Sequence, residues 1–108
     1  MFGFGKKKKK HKDSMPLESL LALTRHGIQY ASMRDPDTYK EIRLGGEGCF
    51  NVIDSELQIV CSGETVFACE LDEVSAGELM SHNGVVLKGY DRISGETRTV
   101  TAFYSVRD

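Results

Sequence analysis

The chain has no long apolar run. Its N-terminus is positively charged, but no apolar stretch of signal-peptide length follows, and the nearby Leu17 to Leu23 segment is broken by Glu18 and Ser19. The sequence therefore predicts neither a secretory signal nor a membrane span. Phe2 stands where N-myristoylation needs a glycine. Paired cysteines are missing too: Cys49, Cys61 and Cys69 are odd in number, 12 and 8 residues apart, with no C-x-x-C spacing. That pattern predicts reduced, unligated thiols in a cytoplasmic setting, with no disulfide framework, no metal site and no cofactor.

Basic charge is scarce outside one place. The formal net charge is −2, yet Lys6, Lys7, Lys8, Lys9, Lys10 and Lys12 all fall within the first thirteen residues. From Ser14 onward eight basic residues face fifteen acidic ones, leaving about −7. So acidic a body lacks the clustered cations on which nucleic-acid binding rests. Only the tail could meet an anionic surface.

What is present is ordinary globular composition, 40% apolar and 28% charged over 108 residues. Residues 1–13, MFGFGKKKKKHKD, repel themselves and have no apolar period, which predicts a disordered basic tail. Residues 14–108 are enough for a single β-rich domain with one modest core.

From Ser14 to His26 the apolar positions Leu17, Leu20 and Leu21 recur at helical spacing, with Pro16 in the first turn, Ser14 as N-cap and Gly27 beyond the end. A helix over 16–26 is too short to persist alone, so Leu20 or Leu21 is expected to dock on the rest of the fold. After Gly27 come short runs rich in Ile, Val, Phe, Tyr and Thr, punctuated by turn residues. They read as antiparallel strands at 28–33, 39–44, 49–53, 57–61, 65–71, 74–80, 85–90 and 97–106. Asn83-Gly84 predicts a two-residue hairpin turn, and Ser94-Gly95 a longer loop closed by a left-handed glycine. The last three strands should form a meander, with Val100, Ala102, Tyr104 and Val106 on the buried face of the final strand. The expected fold is α+β and mostly β: one short N-terminal helix packed on a strongly bent antiparallel sheet, or partly open barrel, of seven to eight strands.

The stretch Gly46 to Val74, GEGCFNVIDSELQIVCSGETVFACELDEV, resembles the pleckstrin-homology-like small β-barrels, especially their GRAM-type bacterial relatives. The resemblance rests on Gly63, Val66, Phe67, Leu71 and Val74, and on GVVLKGYDRISGETRTVTAFY, which looks like the final hairpin of such domains. It implies a barrel whose open end a helix plugs, a place the 16–26 helix is expected to take. Phosphoinositide-binding members of the family carry basic residues between their first two strands. The corresponding segments here, Arg34 to Thr38 and Gly45 to Gly48, hold one arginine and several acids, so the resemblance does not extend to headgroup binding by the barrel. The family is a scaffold with varied functions.

The remaining constellations read as structural. His26 and His82 fall at a helix end and in a turn, without a nucleophile and an orienter nearby in sequence. Asp72-Glu73 and Asp35-Asp37 sit where aspartate supports turns. Gly45-Gly46-Glu47-Gly48 lacks the Lys-Ser/Thr and the following helix of a phosphate loop, which leaves a flexible turn or bulge. The expected function is a non-catalytic interaction module, not an enzyme, whose partner is another protein or a second copy. Lys6 to Lys10 and Lys12 would add weak contact with an anionic membrane at the cytoplasmic periphery. The alternative is a small-molecule-binding or enzymatic barrel with its site at an open end, which a concave apolar cavity with convergent polar groups would favour.

Overall fold

The computed structural model describes residues 15–35 and 37–105. The expected disordered tail, its lysines and Val106 lie outside these residues, and the helix is capped at Pro16, not at the expected Ser14, because it starts only at Leu17. The order of elements is α1 (Leu17–Ala22), a 3-10 turn (Leu23–Arg25), β1 (Gly27–Arg34), β2 (Glu41–Gly45), β3 (Gly48–Ile53), β4 (Glu56–Cys61), β5 (Glu64–Glu70), β6 (Ser75–Glu78), β7 (Gly84–Asp91) and β8 (Glu96–Tyr104). Eight antiparallel strands behind one short helix match the α+β, mostly β expectation, and the sheet is not closed.

The strands run in the order β5-β4-β3-β1-β8-β7-β6, with β2 paired to β1 beside this path. β2 and β3 act as one sharply bent strand: β2 pairs with Ala31 to Arg34, and β3 with Gly27 and Ile28 before turning away to β4. The bend is tightly packed rather than flexible. A Cβ on Gly48 would stand 1.8 Å from the Val60 carbonyl oxygen, so the backbones can touch there only through glycine. The Ser62 N–H donates to the Glu47 carbonyl at 2.8 Å across the same corner.

Alternation along the strands fills the interior with Phe50, Leu57, Ile59, Phe67, Leu87 and Val100. Each such side chain taken out of water stabilises by roughly 1.5–3 kcal/mol before entropy is charged against it. The last three strands form the expected meander, and Val100, Ala102 and Tyr104 are buried on one face of β8.

The helix is shorter than expected. It tightens into the 3-10 turn after Ala22, and Gly27 opens β1 instead of capping a helix. The buried pair is consequently Leu20 and Leu23, three residues apart, while Leu17 and Leu21 stay exposed. Turn chemistry differs as well. Asp54-Ser55 and Ser62-Gly63 make the tight two-residue hairpins, all four with positive φ. The Asn83-Gly84 hairpin opens instead into a wider turn with His82 left-handed, because Gly84 already belongs to β7. Gly95 has the expected positive φ of 80°.

Candidate interaction surface

The two flanks of the sheet use their polar groups in opposite ways. On one flank β5 approaches β7, and the contact is made by a buried carboxylate. Asp91, at 0% exposure, accepts the N–H groups of Ala68 (2.9 Å) and Ile93 (3.0 Å) on Oδ1, and those of Ser94 (3.1 Å) and Arg98 Nη1 (2.7 Å) on Oδ2. Burial works to raise its pKa, and the bonds from Ala68, Arg98, Ser94 and Ile93 outweigh that and hold it below the ordinary value. The Arg92 N–H donates to the Ala68 carbonyl, and its guanidinium clasps Glu56 at 2.7 and 3.0 Å, with Gln58 donating to the same carboxylate. The Arg92 bond is the main reason the Glu56 pKa is lowered.

Gly89 lets this seam form, since a Cβ there would lie 2.5 Å from the Cys69 sulfur. Burial, aided by Glu73, Asp91, Glu70 and Glu56, pushes the Cys69 thiol up to about 12. Burial also raises Cys61, with Cys49 adding to it. All three cysteines are free thiols.

A shallow depression of about 390 Å³ lies beside the seam, lined by Ile53, Asp54, Glu56, Gln58, Glu70 and Arg92. Its cationic and amide groups are already bound to Glu56. A smaller hollow of about 70 Å³ lies among Ser32, Met33, Arg34, Glu41 and Thr101. Neither is an apolar cavity with convergent polar groups.

The other flank is open. On the outward face of β1, β2 and β8, Tyr30 stacks on Phe103 with ring centroids 4.6 Å apart, and the Arg43 guanidinium lies 4.1 Å from the Tyr30 ring. Beyond this cluster the β1–β2 hairpin exposes Ile42 (41%) and Tyr39 (69%). Tyr39 has φ of 63°, a left-handed conformation rare for a bulky side chain, and is held there by its N–H to the Asp35 carbonyl and by Arg34 Nη1 donating to its own carbonyl.

The sequence-predicted groups are dispersed. His26 stacks on Tyr104 with centroids 4.0 Å apart, and His82 lies 3.3 Å from Glu78 in an exposed turn. Among the described residues no three His, Cys, Asp or Glu side chains are grouped to hold a metal ion, and no helix is long and apolar enough to cross a membrane. Lys6 to Lys10 and Lys12 lie outside the described residues; the first described residue, Met15, donates its N–H to the Ala76 carbonyl on β6 at 2.8 Å. Tyr30, Tyr39, Ile42 and Arg43 were not singled out by sequence reasoning, since their alternation marks a strand without telling which face stays uncovered. Comparison with known proteins places no relative beside the chain: no family model, curated protein or solved structure matches it.

Proposed function

We propose that this protein is a non-catalytic interaction module that presents the open β1–β2 flank to a protein partner. The observation that carries the reading is Tyr39, a large aromatic side chain kept exposed and in a costly backbone conformation in the turn of the β1–β2 hairpin, whose β2 strand exposes Ile42 on one face and sets Arg43 over the Tyr30 ring on the other. Packing does not require it there, and Tyr and Arg are the residues that anchor interfaces. The described core is made of packed apolar side chains, and the buried carboxylate Asp91 is committed to the seam.

Counting β2 and β3 as one bent strand leaves seven antiparallel strands. That count supports the pleckstrin-homology-like, GRAM-like resemblance as the scaffold for the module. Lys6 to Lys10 and Lys12 serve as an auxiliary electrostatic anchor to an anionic surface, each lysine worth about 1 kcal/mol near a charged leaflet. On this reading the protein works at the cytoplasmic periphery of a membrane.

The test is affinity capture with the whole chain against Tyr39→Asn. A partner recovered by the parent and lost by the variant supports the reading, and equal recovery removes the flank from consideration. Co-sedimentation with phosphatidylserine-containing vesicles tests the anchor. Binding should weaken with added salt and disappear when the six lysines become glutamine. Unchanged binding by the glutamine variant would move lipid contact to the folded sheet.

A further inference from the structure

Among the described residues the outer edge of β2 is an unpaired strand edge: β2 pairs there with β1 alone, and Glu41, Ile42 and Arg43 are all exposed. The hairpin fixes which backbone groups face outward. The Asp35 N–H donates to the Lys40 carbonyl at 2.9 Å, which makes that pair a hydrogen-bonded one, and Met33 with Ile42, two residues on, is the next. Glu41, opposite Arg34, and Arg43, opposite Ser32, then form the alternate pairs whose N–H and C=O groups point away from β1. The free edge thus offers two donor–acceptor sets, one on Glu41 and one on Arg43.

We propose that this edge pairs antiparallel with the same edge of a second copy, about a two-fold axis at Ile42, joining two sheets into one continuous sheet. In that register the outward groups of Glu41 meet those of Arg43 of the second copy, and the reverse, so every outward group of both residues is used. A two-fold axis normal to the sheet keeps outer faces together, so each carboxylate stands across from a guanidinium. Glu41 then lies between Arg34 of its own sheet, directly opposite on β1, and Arg43 of the other copy. The registers centred on Glu41 or on Arg43 place like charges opposite one another and forfeit part of the backbone pairing.

The sequence Glu-Ile-Arg is what selects a second copy as occupant. Charged edge strands ordinarily block edge-to-edge association. Here charges of opposite sign flank the centre, so the edge complements itself under two-fold rotation. The two Ile42 side chains meet at the axis, as neighbours in a non-hydrogen-bonded pair, and cover apolar surface that the single chain leaves exposed.

The inference takes the interaction-module reading as its premise and adds the identity of a partner. The test is sedimentation equilibrium of the full chain, the variants Glu41→Arg and Arg43→Glu, and an equimolar mixture of the two. The parent should dimerise. Each variant places two like-charge pairs across the axis and should associate at least about tenfold more weakly. The mixture should regain dimerisation as a heterodimer, because its cross-strand pairs are again of opposite sign, and that recovery also shows that both variants fold. A parent that stays monomeric up to about 1 mM, variants that dimerise as well as the parent, or a mixture that does not recover would each overturn the pairing. A monomeric chain that still captures another protein through Tyr39 would overturn the pairing while leaving the module reading intact.

Discussion

The seam between β5 and β7 and the free edge at β2 are built from the same materials, short strands ending in turns with acidic and arginine side chains, yet they do opposite work. At the seam Asp91 and Arg98 are withdrawn from water and committed to one another and to three backbone amides. At the edge Glu41 and Arg43 remain in solvent, and among the described residues their backbone groups on one side have no strand to meet. Burial separates the two roles. A buried ion pair must be fully satisfied to be tolerated, so it is a structural commitment, whereas an exposed pair adds little to stability and remains available to a partner.

The sharpest way to break this comparison is Asp91→Ala. It leaves the half-buried Arg98 without its counter-ion and the Ala68, Ile93 and Ser94 amides without their acceptor, so the expected loss is about 3–5 kcal/mol by chemical denaturation. A loss below about 1 kcal/mol would mean that the seam is not what holds β5 to β7. Nothing comparable is expected from Glu41→Ala.

The same dependence on burial should appear within a single turn of α1. Leu20→Ala removes a side chain with 0% exposure and should cost about 2–5 kcal/mol, while Leu21→Ala, at 41% exposure, should cost under about 0.5 kcal/mol. Equal losses would show that the helix packs through a broader face.

Protonation tests the seam without mutation. Asp91 and Glu56 have folded pKa values below their ordinary 3.8 and 4.5, so their contribution is fully present above those values and is lost as pH falls through the lower, folded ones. Thermal midpoints should stay level from neutrality down to about pH 5 and then decline. Asp91→Asn should shallow that decline. An equally steep decline in the variant would assign acid sensitivity to other carboxylates.

How much of this was legible in the sequence depends on the range of the interaction. Periodicity located eight strands and a helix because burial alternates locally along each strand. The helix end was misplaced because the choice between Leu21 and Leu23 is made by packing against β3. Asp91 falls in the gap between the strands read at 85–90 and 97–106, and it does support a turn: its carboxylate accepts the Ile93 N–H two residues on. Its larger role depends on Ala68, 23 residues away, which no local pattern reveals. The hairpin turns at Asp54-Ser55 and Ser62-Gly63 outdid the expected Asn83-Gly84 turn because the strand pairing placed Gly84 inside β7. The open flank was illegible for a related reason. Tyr39 and Ile42 read as ordinary strand residues, and only the strand order shows that no other described strand pairs beyond them.

The smallest effect on stability is expected at Tyr39, and it sharpens the comparison most. A tyrosine at φ of 63° pays for a conformation that asparagine adopts readily, and its exposed ring has little packing to lose. Tyr39→Asn should therefore leave stability unchanged or raise it by up to about 1 kcal/mol. The hydrogen bonds to Arg34 and Asp35 use the backbone of residue 39, so the substitution removes neither donor nor acceptor. If the open flank is a working surface, the same variant should lose partner capture while melting no lower than the parent. A residue whose removal improves the fold and abolishes recognition is held by selection for contact. A drop in stability of more than about 1 kcal/mol would instead make Tyr39 part of the hairpin's own packing, and the distinction between the two flanks would shrink to a difference in exposure.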